Sequence, residues 1–265
     1  MTESTAKQDT IQDSPMRPSI TRRLPQLLAR APAPSQVVQS HSDALKHDLR
    51  AVLRDIAQPV AVVTSMLPPG MTNNAGGKHG ATLSSFTSIA MDPYPLVAFS
   101  LRIPSRMASA LEHLSTKSFS ERSRSGSERK AHMVVNLLSA SQADLAIKFS
   151  RPDLYPDPFS STPFSLSEDG MPILHGVTSA ISCQLVSRAF PLHDLEYLAG
   201  GGGQKDHLEM PVLGAGEVAS ELFLARVTRV ETPVPGENLG ETDDLSLPLI
   251  YHRRTYTTCL HKQST

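Results

Sequence analysis

The sequence predicts a mainly β protein, an antiparallel barrel with a few short helices. Six or seven apolar or alternating segments lie along the chain, without the regular strand–helix alternation that a parallel α/β sheet requires. Tryptophan is absent and aromatic residues make up 5% of the chain, which suits a core of Val, Leu, Ile and Ala. Because long unpaired strand edges invite association, a closed sheet is favoured over an open one.

The composition argues against several classes of protein. A net charge of −1 leaves no basic excess for nucleic acid, and no apolar run approaches the roughly 20 residues that span a bilayer. Cys183 and Cys259 lie far apart and lack metal-ligand spacing, so we expect neither a disulfide framework nor a metal site. Because the G-x-S-x-G and H-E-x-x-H motifs are missing as well, we expect no catalytic side chain.

The elements expected in the first half are two helices and two strands flanking a hydroxyl-rich stretch. Apolar residues at helical spacing in 43–56 predict an amphipathic helix packed on the domain. The apolar run 59–65 predicts a buried strand, and 95–103 predicts a second one. Pro104 suits the first turn of the helix that follows.

The second half is expected to contain strands at 131–139, 177–190 and 219–231, and an extended segment at 247–259. A short helix is expected at 141–152, with Ser141 as its N-cap and Asp144 in the capping-box position.

We expect one domain over residues 43–260, behind a leader over residues 1–42. Surface insertions are expected near 118–130, which is rich in Ser and Arg, and near 191–216, around four consecutive glycines. The second part of the leader is basic and free of acids, as in a mitochondrial transit peptide. Acids upstream and Pro25 instead favour a disordered leader, so both a mitochondrial and a cytoplasmic location stay open.

Small hydroxyl side chains are concentrated in residues 79–95, where strand alternation would place Thr82 and Ser84 on one face. An anionic or heterocyclic ligand suits such a face, although an edge strand facing water explains it equally well. Ser105 and Arg106 begin a helix whose free N–H groups and guanidinium fork suit a phosphate. The alternative there is a simple cap beside a solvated arginine.

Six segments in a fixed order carry a family resemblance: PVAVVTS, GATLSSFTSIAMDPYPLVAFSLRIPSR, VVNLLSASQADLAIKFS, MPILHGVTSAISCQL, LFLARVTRVE and PLIYHRRTY. No single segment is specific, but together they resemble the flavin reductase-like family over about residues 50–258. Its fold is the FMN-binding split barrel, a Greek-key antiparallel β-barrel. The LRIPSR segment and the long insertions look most similar to eukaryotic, fungal-type members.

The resemblance implies a cofactor site and its residues. The flavin ring and its chain would lie along the strand that contains Thr82, Leu83, Ser84 and Ser85. The phosphate would lie beside a helix start, at Arg102, Ser105 and Arg106. The pair Phe149 and Ser150 would lie near the flavin. FMN is the expected cofactor, with FAD as the alternative and NAD(P)H as electron donor. Because each flavin of the family lies near a subunit interface, the resemblance also implies a homodimer.

Two departures from the family pattern concern activity. Met107 stands where a phosphate-loop Thr is common, and Ala219-Ser220-Glu221 stands where Gly-Asp-His is usual. That histidine belongs to the nicotinamide side, and His207 lies too far upstream to replace it. We therefore expect Glu221 to repel the phosphates of NAD(P)H and to slow its oxidation, unless its carboxylate is turned into a hydrogen bond or lies out of reach.

The first hypothesis is an FMN-binding oxidoreductase that moves a hydride from NAD(P)H to flavin, or uses bound flavin as an oxygenase, in either case as a monooxygenase component. The alternative is a flavin-binding module, a sensor or carrier without NAD(P)H turnover. An interaction protein built on the Ser/Arg insertion is a third, less favoured reading.

Overall fold

The computed structural model describes residues 34–68, 70–71, 77–122, 130–201, 219–235 and 247–259. The chain forms two compact units, Met1–Asp48 and Leu49–Thr265, and the sheet and the cavity described below belong to the second. Residues 1–33 of the predicted leader lie outside the described residues, as do 123–129 of the first predicted insertion and 202–216 of the second.

The described residues form three α-helices: α1 (Pro34–Arg54), α2 (Arg106–Arg122) and α3 (Ala143–Ser150). None of these helices is both long enough and apolar enough to cross a bilayer. The helix α2 continues into the segment that was expected to be a surface insertion from residue 118.

The helix α1 begins at Pro34, well before the expected start at residue 43. Three apolar side chains of its predicted stripe are exposed: Leu49 by 52%, Val52 by 63% and Leu53 by 44%. The expectation that this stripe packs on the domain is therefore wrong. Polar contacts hold the end of the helix instead, because Arg253 donates its N–H to the Arg54 carbonyl at 3.0 Å and pairs with Asp55 at 2.8 Å.

The strands of the described residues are, in chain order, β1 (Gln58–Pro59), β2 (Ala61–Met66), β3 (Lys78–Leu83), β4 (Thr87–Ala90), β5 (Leu96–Ile103), β6 (Met133–Leu137), β7 (Phe164–Leu166), β8 (Pro172–Leu174), β9 (Ser179–Leu185), β10 (Phe190–Pro191), β11 (Ala219–Glu231), β12 (Leu249–His252) and β13 (Thr255–Thr258).

The main sheet has the order β3-β2-β6-β9-β11-β5-β4, with β10 paired to β11, and every pairing in it is antiparallel. The strands β3 and β5 are not sheet neighbours, yet the curl of the sheet brings them together. There Ser85, just beyond β3, accepts the Ser100 N–H at 2.9 Å through its hydroxyl oxygen and donates to the Ser100 carbonyl at 3.2 Å. The predicted antiparallel split barrel is confirmed.

The central strands are buried on both faces. On β2, Val63 belongs to an inner cluster with Phe99, Phe223 and Met107, whereas Val62 belongs to an outer cluster that includes residues of α3. A strand covered on both sides needs apolar residues at consecutive positions, which explains the unbroken run in β2.

A buried amide attaches the β7–β8 hairpin to the sheet. Asn136 on β6 donates its side-chain NH₂ to the Val62 carbonyl and to the Thr64 hydroxyl, both at 3.0 Å. Its side-chain oxygen accepts the Leu174 N–H at 2.9 Å, while Thr64 donates to the Pro172 carbonyl at 2.5 Å. The side chains of Asn136 and Thr64 thus both have hydrogen-bond partners within this apolar layer, which offsets the cost of burying them.

Three expected elements differ from the structure. Residues 79–95 form two strands rather than one, because β3 ends at Leu83 and β4 begins at Thr87. Residues 247–259 form the β12–β13 hairpin, which turns at Arg253 and Arg254 with φ of 50° and 65°. The short helix is entered by a 3-10 turn capped by Ser139, not Ser141, because the Gln142 side-chain oxygen accepts the Ser139 N–H at 3.1 Å.

The helix α3 packs closely against β3. A Cβ placed on Gly80 would lie 2.7 Å from two ring carbons of Phe149, a separation that real Cβ contacts do not show. The Thr82 hydroxyl also donates to the Ala146 carbonyl in α3 at 2.6 Å. Phe149 is itself held in place by Phe159, because the two rings make an edge contact with their centroids 5.2 Å apart.

We expect Gly80→Ala to lower the free energy of unfolding by about 1–3 kcal/mol, since the added methyl group overpacks the contact with Phe149. Urea denaturation measures this change. In a double-mutant cycle, the penalty of Gly80→Ala should largely disappear in a Phe149→Ala background. An unchanged penalty in that background would show that the ring is not what opposes the methyl group.

Candidate functional site

A cavity of about 850 Å³ lies where β3 approaches β5 in the split of the barrel. Its walls come from β3, the end of β5, the start of α2, the end of α3 and the segment after it. All nine sequence-predicted site residues line it: Thr82, Leu83, Ser84, Ser85, Arg102, Ser105, Arg106, Phe149 and Ser150. The structure therefore brings together side chains that lie up to 68 positions apart in the sequence, from Thr82 to Ser150.

Several of the predicted hydroxyl groups are already used by the fold. Thr82 binds α3, and Ser85 holds Ser100 of β5 through two hydrogen bonds. Ser150 donates to the Ile147 carbonyl at 2.9 Å. These groups shape the cavity more than they offer free donors to a ligand. Ser84 lies at the bend after β3 and is exposed to the cavity.

The start of α2 supplies the positive end of the cavity. The Ser105 hydroxyl accepts the Ala108 N–H at 3.1 Å, so this serine is a true N-cap. The first N–H groups of any α-helix have no intrahelical acceptor, and together they carry partial positive charge. Arg102 and Arg106 are exposed beside this helix end, so the site joins a helix N-terminus to two guanidinium groups.

His79 is a cavity residue that the sequence reasoning missed. It lies on β3 next to Gly80, and burial, followed by the charge of Arg106, lowers the pKa of its imidazole below the usual 6.5. The only signal in the sequence was its position at the start of the hydroxyl-rich stretch. Lys148, Asp153, Tyr155 and three prolines of the segment after α3 also line the cavity and were not predicted.

Ser220, rather than Glu221, faces the cavity. Alternate residues of β11 point to opposite faces, and only Ser220 of this pair is a lining residue. Glu221 is 7% exposed on the other face, where burial and then the charge of Glu112 raise the pKa of its carboxyl group above 4.5. Glu112 itself lies 3.6 Å from Arg188. Glu221 therefore does not line this cavity, and its expected effect on NAD(P)H stays a prediction.

Among the described residues, no group of three His, Cys, Asp or Glu side chains is arranged to hold a metal ion. Cys183 is buried, and burial raises the pKa of its thiol to about 12, so this group stays protonated and unreactive at neutral pH. The polar groups of the cavity are thus hydroxyls, guanidinium groups, the Lys148 ammonium group, the Asp153 carboxylate, one imidazole and the helix end.

A family model described as the flavin reductase like domain matches residues 53–259. The chain belongs to this family. It is 33% identical over 138 residues to a flavin reductase of Pseudomonas putida, which covers 52% of this chain. The matches span 66% and 49% of the lengths of two curated relatives, so the chain covers less than two thirds of either.

Two solved structures place this flavin reductase-like chain among known folds. It superimposes on the styrene monooxygenase flavin reductase of Pseudomonas putida S12 with a TM-score of 0.52 and 23% identity, covering 81% of this chain and 99% of the other. It also superimposes on the NADH:FAD oxidoreductase SgcE6 of Streptomyces globisporus C-1027, in complex with NAD and FAD fragments. The TM-score is 0.52 and the identity 19%, and the match covers 83% of this chain and 95% of the other. At these identities the likeness shows the fold alone. All these relatives are bacterial, so the particular similarity to eukaryotic, fungal-type members is not supported.

The position of Glu221 predicts how stability depends on pH. Because the folded-state pKa of its carboxyl group is raised, the folded state binds the proton more tightly than the unfolded chain does. Stability from this group is present at low pH and is lost as the pH rises through the folded-state pKa. Glu221→Gln cannot ionise, so we expect its stability relative to the wild type to increase between pH 4 and pH 8.

Urea denaturation at several pH values measures this effect, and the exposed Glu196→Gln is the matched control, for which we expect no such trend. Because Glu221 faces away from the cavity, the Michaelis constant for the NAD(P)H oxidation proposed below should stay the same in Glu221→Gln. A marked fall in that constant would return Glu221 to the cavity and contradict the assignment of Ser220.

Proposed function

We propose that this flavin reductase-like chain is a flavin-dependent oxidoreductase that binds FMN or FAD and accepts electrons from NAD(P)H. The observation that carries the proposal is the cavity that joins β3 to the N-terminus of α2 in a member of this family. Its likeness to an NADH:FAD oxidoreductase whose structure contains NAD and FAD fragments supports the same reading.

The donors in the cavity fit a flavin phosphate. Arg102 and Arg106 supply charged N–H groups, and the start of α2 supplies backbone N–H groups behind the Ser105 cap. The strand β3 would hold the ring system along its backbone and Ser84, while Phe149 closes the cavity on the side of α3. The buried Met107 takes the place of a threonine and offers no hydrogen bond, so the arginines and the helix end would carry phosphate binding.

Bound flavin supplies the redox chemistry by accepting a hydride, and this step needs no acid or base from the protein. The residues of the chain would orient the ring, neutralise the phosphate and exclude water. These tasks agree with a cavity of hydroxyls and cations that contains no nucleophile and base in contact. The reduced flavin would then serve a monooxygenase partner or react with oxygen in place.

A second candidate is a flavin-binding module without turnover. The triplet Ala219-Ser220-Glu221 contains no imidazole where the family has Gly-Asp-His, and this favours the module, because that histidine belongs to the nicotinamide side. Flavin binding alone does not separate the two functions, whereas steady-state oxidation of NAD(P)H does.

The experiment is to purify the chain, record its visible spectrum with FMN and with FAD, and then follow NAD(P)H oxidation at 340 nm. We expect bound flavin and a turnover that depends on it. Arg106→Ala should weaken FMN binding by about 1.5–3 kcal/mol, the range for a hydrogen bond to a charged group, and should leave riboflavin unaffected.

The exposed Arg50→Ala, on α1, is the matched control and should bind FMN like the wild type. Equal affinity of the wild type for riboflavin and FMN would remove the phosphate site from the helix end. Bound flavin without NAD(P)H oxidation would select the module instead of the enzyme.

The proposal includes a homodimer that completes the cavity. The apolar residues of β6 do not argue for it, because Val134 and Val135 are buried on opposite faces by the chain's own clusters. Three apolar side chains on β4 and on the connection from β4 to β5 are exposed instead: Ile89 by 48%, Met91 by 70% and Tyr94 by 50%. Exposed apolar groups concentrated in one segment are typical of a protein interface.

We expect the flavin-loaded chain to be a dimer by light scattering at micromolar concentration, and Met91→Glu to weaken it by placing a charge in the interface. Leu166→Glu, which changes an exposed leucine on β7, is the control and should remain dimeric. A wild-type monomer with flavin bound would refute the dimer without touching the flavin site.

A further inference from the structure

His79 is placed in the cavity by the fold itself. Its strand β3 pairs with β2, where Ser65 stands opposite His79 in the register. On the cavity side it comes under the charge of Arg106 at the start of α2. Within the described part of the chain, no hydrogen bond or ion pair involves the ring of His79. The ring of His79 is only partly buried and lines the cavity, so its nitrogens are open to a ligand bound beside the start of α2.

The charged residues that line the cavity together with His79 are mostly positive. The charge of Arg106 at the start of α2 acts on the imidazole, and Arg102 from β5 and Lys148 from α3 line the same cavity. The one acid there is Asp153, which is already held by Arg151 through two hydrogen bonds of 3.0 and 2.8 Å. The strand β2 contributes no charge at this position, since Ser65 is uncharged. An imidazolium is unfavourable in these surroundings until an anion arrives.

We infer that His79 is a phosphate ligand of the flavin, placed across from Arg106, and that it takes up a proton when the phosphate binds. The inference rests on the proposed flavin function. In the free protein the lowered pKa keeps the ring neutral at pH 7, which avoids repulsion from Arg106. A phosphate brings negative charge between the two groups, raises the pKa of the imidazole and turns its hydrogen bond into a charge-assisted one.

The sign of the pH dependence follows from proton uptake. If binding takes up a proton, affinity increases as the pH falls toward the pKa of the free imidazole. The phosphate of FMN works in the opposite direction, because its second pKa is near 6 and protonation reduces its charge. A comparison of the wild type with a variant that cannot titrate at this position separates the two effects, since the phosphate contributes equally to both.

The experiment measures dissociation constants for FMN and riboflavin by flavin fluorescence at pH 6 and pH 8, in the wild type and in His79→Gln. Glutamine keeps an N–H donor but cannot carry the charge. We expect the variant to bind FMN about tenfold more weakly than the wild type at pH 6 and only about twofold more weakly at pH 8. Riboflavin, which has no phosphate, should bind both proteins equally at both pH values and so reports that the variant is folded.

His113→Gln, which changes an exposed histidine farther along α2, is the matched control and should reproduce the wild-type profile. An FMN profile in His79→Gln that runs parallel to that of the wild type would overturn the inference and leave the flavin site intact. An equal loss for riboflavin and FMN would assign His79 to the ring and not to the phosphate, which also overturns it. If the wild type binds neither flavin, the proposed function itself fails.

Discussion

The contact between α3 and β3 is the constraint on which the cavity depends. The ring of Phe149 reaches the strand only because Gly80 has no Cβ, and the Thr82 hydroxyl fixes the helix beside it through the Ala146 carbonyl. Both contacts act on the strand that lines the cavity and on the helix that closes it. The segment after α3, which carries Asp153 to the rim, starts from this fixed point. Loss of the contact would therefore displace a wall of the cavity and not only weaken the core.

The polarity of the cavity differs from what the serines and threonines suggest. The hydroxyls of Thr82 and Ser85 form hydrogen bonds with backbone groups of α3 and β5, so they hold these elements against β3 and the residues just after it. The groups left for an anion are cationic or belong to the helix end beside Ser105. A hydroxyl-rich strand in a sequence thus indicated the right place, while the chemistry of the place comes from a different set of atoms.

The parts of the fold that were predictable from the sequence are those with a regular period and close neighbours. The strand β11 has the expected bounds, Ala219–Glu231, because this run contains no Gly, Pro, Asn or Asp that would end a strand. The β12–β13 turn was missed because Arg253 and Arg254 adopt left-handed conformations. Such a turn is usually recognised in a sequence by Asn-Gly, which is not present at these two positions. The approach of His79 to Arg106 depends on the curl of the whole sheet, and no local pattern carries that information.

The alternation of buried and less buried side chains from Ala219 to Ala225 of β11 limits how the chain can vary in length there. Ser220 and Glu221 are adjacent in sequence, but the sheet separates a neutral hydroxyl on the cavity side from a buried carboxyl group on the other. Deleting one residue from the paired part of the strand would exchange the two faces and bring the carboxyl group into the cavity. Substitutions at either position change one contact, whereas a length change would invert the electrostatic character of that wall. Insertions in this lineage should therefore accumulate in the connections before and after β11, and a sequence alignment that opens a gap within the strand assigns the wrong residue to the cavity.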